Sequence, residues 1–151
     1  MNEIVIRQAT RADLDRCAQL LTDLFSIETD FVIDHEKQKA GLRLLFDNPK
    51  RSAILVAEKR NAVVGMVTGQ LVVSTAVGGY SILLEDLFVV KDCRRLNIGG
   101  RLVEGLIAWG VEKGARRVQL VADSDNHFAL KFYQSNNFVR GKMVGLYRFL
   151  N

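Results

Sequence analysis

The order of apolar patterns in this chain predicts a mixed α/β (α+β) single domain spanning residues 1–151, with a central sheet of about six to seven strands flanked by about four helices. Three observations carry the prediction. Valine-rich runs of strand length fill the middle of the chain from Ala53 to Val90, and segments with helical spacing of apolar residues lie on both sides of them. The last of those runs leads through a basic turn into a helix that opens with glycines and then into another strand. Such a crossover unit sets its two strands parallel.

Taken in order, Ile4-Val5-Ile6 reads as a short first strand, followed by Thr10 and Asp13 at the spacing of a capping box. Leu14, Cys17, Ala18, Leu21 and Leu24 then recur at helical intervals. A second helix is expected from His35 to Phe46, ended by Asp47-Asn48-Pro49. Ala53 to Glu58 and Val63 to Val73 form a hairpin around Lys59-Arg60-Asn61. Tyr80 to Val90 is the next strand. A helix from Gly100 to Lys113 presents Leu102, Val103, Leu106 and Ile107 on one face, and Gly114 marks its left-handed end. Val118 to Ala122 reads as a strand. Asp125 or Asn126 caps a helix running to about Asn136, and Phe138 to Leu150 supplies one or two final strands.

Bulk properties exclude several classes. Nearly half the residues are hydrophobic, a quarter are charged and Pro49 is the sole proline, which argues against disorder. No apolar run approaches the roughly 18 residues of a membrane span, and the opening residues lack the order of a secretory signal, so the expectation is a cytoplasmic protein without membrane partners. Cys17 and Cys93 fit that compartment as free thiols. His35 and His127 have no zinc-ligand pattern around them, and no metal is expected. The net charge of +4 comes with no nucleic-acid-binding motif. Its distribution is more informative. Lys91, Arg94, Arg95 and Arg101 cluster against Asp92 alone, while Glu28, Asp30, Asp34 and Glu36 form an acidic stretch.

The richest segment runs from Leu84 to Leu102. A strand carrying Glu85 and Asp86 meets a basic turn and then a glycine-started helix, whose exposed amides and dipole favour a phosphate group. A Walker loop would need Gly-Lys-Ser or Gly-Lys-Thr, and a dinucleotide fold would need its glycines in the first strand-turn-helix unit; neither is present. The turn Arg94-Arg95-Leu96-Asn97-Ile98-Gly99 instead resembles the Arg-x-x-Gly-x-Gly/Ala acetyl-coenzyme A loop of the GNAT N-acetyltransferases. A second run, Asn126-His127-Phe128-Ala129-Leu130-Lys131-Phe132-Tyr133 with Asn137-Phe138, is similar to that family's Asn-x-x-Ala-x-x-Phe-Tyr-x-x-x-Gly-Phe. With Ile6-Arg7-Gln8-Ala9-Thr10 and the element order, the resemblance spans the chain. Asn97 and Asn137 stand where the family has glycine, and asparagine is the side chain that best tolerates positive φ, so both are expected to keep a left-handed backbone.

The resemblance implies an acetyl-CoA-dependent N-acetyltransferase acting on a primary amine by direct transfer in a ternary complex. Leu87, Phe88 and Val89 would supply backbone to the pantetheine arm, while Arg94, Arg95, Leu96, Asn97, Ile98, Gly99, Gly100 and Arg101, with Asn126 and Lys131, would hold the cosubstrate. Tyr133 takes the position of the general acid, since a phenol titrating near about 10 can protonate a departing thiolate. The segment Leu84-Glu85-Asp86-Leu87-Phe88-Val89 looks like that of diamine and polyamine acetyltransferases, which makes Glu85 the base. Strand alternation separates Glu85 from Asp86, so the two acids are not expected to share a role. A structural Glu85 is the rival reading. The acidic segment, through Glu28, Asp30 and Asp34, would meet a small cationic acceptor. A protein lysine or N-terminus as acceptor, or a non-catalytic acyl-CoA-binding regulator, are the alternatives, and the family resemblance also allows a homodimer.

Overall fold

The computed structural model describes residues 3–28 and 32–150. By its internal contacts the chain divides after Leu120 into two compact units. The first holds one five-stranded sheet, ordered β1-β2-β3-β4-β5: β1 is Ile4–Gln8, β2 Ser52–Lys59, β3 Ala62–Ser74, β4 Gly79–Val89 and β5 Ala115–Gln119. Helices α1 (Leu14–Phe25) and α2 (His35–Phe46) precede β2, and α3 (Ile98–Glu112) connects β4 to β5.

Neighbours β1 to β4 pair antiparallel and β4 with β5 parallel, as the crossover unit requires. The β2–β3 turn holds only Arg60 and Asn61, at φ 52° and 62°, the positive values a two-residue type I′ hairpin demands of both residues. Arg7 fixes β1 from the side. Its guanidinium donates to Asp13 Oδ2 at 2.7 Å and to Glu58 Oε2 at 2.7 Å, joining β1, the turn before α1 and β2. Asp13 in turn accepts the Thr10 backbone N–H at 2.7 Å, half of the capping box read from the sequence.

Two faces of the sheet are covered differently. On one, Leu14, Cys17, Ala18, Leu20 and Leu21 of α1 and Leu42 of α2 pack with Ile54, Val56, Val63, Met66 and Phe88. On the other, α3 lies close enough that Gly69, Gly105 and Gly110 leave no spare room against Leu106, Leu55 and Ile82 respectively. Just past the end of α3 stands Gly114, whose φ of 90° is the left-handed C-terminal geometry expected there. The chain then enters β5 at once, three residues earlier than the apolar pattern from Val118 suggests.

The strand count is lower than predicted. The second unit contains α4 (His127–Ser135), capped by Asn126, one of the two candidates, whose side chain accepts from Ala129 N at 3.0 Å. From Phe138 to Leu150 the described residues form no strand, and Val139, Met143, Val144, Leu146, Phe149 and Leu150 are exposed. An alternating apolar pattern qualifies a segment for a sheet, but only a hydrogen-bonded neighbour makes it a strand.

Candidate active site

Two features converge on β4. The first is a bulge. Thr68 of β3 pairs with Asp86, but its successor Gly69 pairs with Leu84, so Glu85 is an extra residue without a partner. Regular alternation would have turned Glu85 and Asp86 to opposite faces. The bulge lets both line the same cavity, which overturns the expectation that the two acids are kept apart.

That cavity, about 550 Å³, lies in the first unit between α1, α2 and the sheet. Leu21, Phe25, Leu42 and Leu45 supply apolar wall, while Gln38, Ser52 and Gln70 are polar. Among the described residues its charged members are Asp34, Glu85 and Asp86 against a single cation, Lys37. Asp34 caps α2, accepting from Lys37 N at 3.1 Å. Of the predicted acceptor residues, then, Asp34 and Glu85 meet here. Glu28, half-buried beyond the end of α1, is not part of the wall, and Asp30 lies outside the described residues.

Asp86 is the residue that sequence reasoning missed as a member of this site. Its Oδ2 accepts a hydrogen bond from Thr68 Oγ1 at 2.9 Å, and Thr68 is buried. Burial pushes the Asp86 carboxyl up to about 6; the Thr68 bond opposes that shift and the charge of Glu85 adds to it. Glu85 itself is solvent-exposed. A threonine opposite an aspartate within an apolar hairpin was the one available signal, and it depends on a register that the bulge conceals.

The second feature is the free end of β4. β5 pairs only with Tyr80 to Leu83, so from Leu84 to Val89 the strand has no partner strand on that side among the described residues. Backbone groups of Leu87, Phe88 and Val89 therefore lie on an open ladder edge, which an extended ligand can extend. One group is taken: the Val89 carbonyl accepts from Arg94 Nε at 3.0 Å, and the Arg94 guanidinium lies 5.4 Å from the Phe88 ring centroid. Arg94 thus folds back on the strand and braces the turn.

The turn delivers the chain to α3 through two left-handed residues, Arg95 at φ 69° and Asn97 at φ 58°. Asn97 is the N-cap, and its side chain makes no capping hydrogen bond. The first amides of a helix have no carbonyl one turn earlier to bind, so those of Ile98, Gly99 and Gly100 are left for a ligand. Arg95, Leu96 and Arg101 are exposed around them. Asn137 has φ 70°, so both asparagines keep the backbone shape expected of them.

In the second unit, Tyr133 sits on α4 with its ring edge-on to Phe132 at 5.2 Å and to Phe138 at 5.4 Å. Lys131 is exposed on the same helix, and the Asn126 side chain is occupied as the cap. Cys17 and Cys93 are buried and unpaired. Among the described residues no group of three His, Cys, Asp or Glu is placed to hold a metal, and no helix is long and apolar enough to cross a membrane.

The open half of β4, the left-handed basic turn and the free amides at the start of α3 are the layout expected of a site for an extended, phosphate-bearing cosubstrate. The chain belongs to the acetyltransferase (GNAT) family, whose model matches residues 14–138. It is an acyltransferase with acetyl-CoA as cosubstrate. It is 28% identical over 136 residues to the uncharacterized N-acetyltransferase YhfO of Bacillus subtilis (strain 168), covering 88% of each chain. Among solved structures it is similar in fold to the aminoglycoside N-acetyltransferase AAC(6')-Iy in complex with CoA, at TM-score 0.86 and 19% identity over 99% of this chain and 96% of the other. An aminoglycoside acetyltransferase from an uncultured soil metagenomic sample, meta-AAC0020, in complex with trehalose, matches at TM-score 0.77 and 26% identity over 98% and 97% of the two chains.

Proposed function

We propose that this protein acetylates a primary amine on a small cationic molecule, bound in the cavity between α1, α2 and β4. The observation that supports the reading best is the set of three carboxylates, Asp34, Glu85 and Asp86, on a partly apolar wall where Lys37 is the only opposing charge among the described residues. Such a lining attracts an ammonium group and accommodates a hydrocarbon body. That two similar folds belong to aminoglycoside acetyltransferases is in keeping with a polyamine or amino-sugar acceptor. Acetyl-CoA would lie along Leu87, Phe88 and Val89 with its pyrophosphate on the amides of Ile98 to Gly100. The acceptor amine attacks the thioester directly, and Tyr133 returns a proton to the thiolate.

The test is a thiol-release assay with acetyl-CoA across polyamines, aminoglycosides, amino acids and peptides. Cationic small amines are expected to turn over with kcat/KM at least about tenfold above neutral amino acids and lysine peptides. Asp34→Asn should raise KM for the best amine and leave that for acetyl-CoA unchanged. Preference for a peptide lysine or N-terminus would overturn the proposal.

A further inference from the structure

The acceptor's proton must leave before nitrogen can attack, and the cavity holds two adjacent carboxylates that could take it. Resting on the acceptor reading above, we propose that Asp86, not Glu85, is the proton acceptor for the substrate ammonium, and that Thr68 is its positioning residue. Geometry separates the two acids. Asp86 pairs in register with Thr68, and its Oδ2 is tied to the buried Thr68 hydroxyl at 2.9 Å. Its Oδ1 accepts no hydrogen bond from a described residue and is available to the cavity that Asp86 lines. Glu85 projects from the unpaired position of the bulge and is exposed, which suits it to attract a cation into the cavity.

Chemistry points the same way. An alkylammonium titrates near about 10, so a carboxyl held near 6 by burial accepts its proton about 100-fold more readily than one at the ordinary value of 3.8. At pH 7 that carboxyl is still mostly ionised. Among the described residues, the charged groups that line the cavity with Asp86 are Glu85 beside it on β4 and Asp34 and Lys37 at the start of α2. α1 contributes only Leu21 and Phe25 to this wall, β3 contributes Gln70, and β2 contributes Ser52.

The step balances. Asp86 carboxylate takes one proton from R-NH3+, the neutral amine forms a C–N bond to the acetyl carbon, and the C–S bond breaks. The second proton, shed by nitrogen as the amide forms, ends on the leaving thiolate as CoA-SH, and Asp86 releases its own proton to solvent, leaving a net yield of acetylamide, CoA-SH and one proton.

The experiment is the pH dependence of kcat/KM for the best cationic amine, measured in the unaltered enzyme and in Asp86→Asn, Glu85→Gln, Thr68→Val and Thr68→Ser, with acetyl-CoA affinity determined by calorimetry as a check on folding. The unaltered enzyme is expected to show an acid limb near pH 6 and a plateau above it until the amine itself deprotonates. Asp86→Asn should lose that limb and fall about 100-fold or more on the plateau, while binding acetyl-CoA normally. Glu85→Gln should keep the limb. Thr68→Val removes the bond that holds the carboxyl down, so its limb should move to higher pH, and Thr68→Ser should return it; these two carry the test should Asp86→Asn fold poorly. The proposal is overturned if Glu85→Gln abolishes the limb and Asp86→Asn retains it, if Thr68→Val leaves it in place, or if activity simply follows deprotonation of the free amine. Absence of turnover with any cationic amine would instead remove the acceptor reading on which this assignment rests.

Discussion

Gly69, like Gly110, is a position where an added Cβ would overlap a neighbouring side chain, and replacing Gly69 with alanine tests how closely α3 is seated on the sheet. A Cβ built at Gly69 would stand 2.6, 2.8 and 3.1 Å from Cδ1, Cδ2 and Cγ of Leu106. Ordinary carbon contacts lie at about 3.5–4.0 Å, so the shortfall is about 1 Å. Leu106 is fully buried, and both of its methyls are met, so one rotamer change does not clear the clash. Either Leu106 leaves its preferred rotamer or α3 lifts, and overpacking of this kind costs about 1–3 kcal/mol. For a chain of this length that lowers the melting temperature by about 3–10 °C. The assay is thermal unfolding by circular dichroism, with Gly41→Ala as control. No atom lies within 4 Å of a Cβ there, so the change should stabilise α2 by roughly 0.5–1 kcal/mol through helix propensity. Leu106→Ala removes the obstructing methyls, so the double variant Gly69→Ala/Leu106→Ala should be at least about 1 kcal/mol more stable than the sum of the single changes predicts. A Gly69→Ala protein melting within about 1 °C of the parent, or strict additivity in the pair, would refute the packing argument.

Two further outcomes follow from local chemistry. Asn97→Gly should match the parent in stability and in acetyl-CoA affinity, whereas Asn97→Ala pays for φ 58° and should lose about 1 kcal/mol, read by calorimetric titration with acetyl-CoA; equal behaviour of the two would show that the left-handed turn is not required. The Arg7 guanidinium holds the Asp13 carboxyl down at about 2 from an ordinary 3.8, so the pair's stabilisation is complete above about pH 4 and is lost as pH falls towards 2. Allowing for solvent screening, that amounts to about 1 kcal/mol, and urea titrations between pH 5 and 2 should show the loss in the parent and not in Arg7→Ala.

The parts of the fold legible in the sequence are those where local chemistry and tertiary demand coincide. The helix from His35 to Phe46 is bounded in the sequence by its Asp47-Asn48-Pro49 stop, and the structure assigns those bounds and adds Asp34 as the cap. Asn97 and Asn137 could be read because asparagine is the non-glycine residue that enters the left-handed region most readily, whereas Arg60 and Arg95, also left-handed, carry no such signal. The bulge at Glu85 could not, since Leu84-Glu85-Asp86-Leu87 has the same residues whether or not one of them is extra. Its consequence, a second carboxylate in the cavity, was therefore missed. The segment from Phe138 to Leu150 erred the other way: its composition suits a strand, but strand formation depends on a neighbour that no local pattern records.

The unpaired Glu85 has a consequence for how such a site can arise. Removing that one residue leaves Leu84 opposite Gly69 and Asp86 opposite Thr68 in unbroken succession, so neither half of β4 has to be rebuilt to lose it or to gain it. Insertions and deletions within strands are usually ruinous because each turns its neighbours inside out. Here a single added codon contributes a charge to the acceptor cavity and leaves every other side chain on its original face. The ligand range of relatives with this hairpin can thus diverge through chain length as well as through substitution.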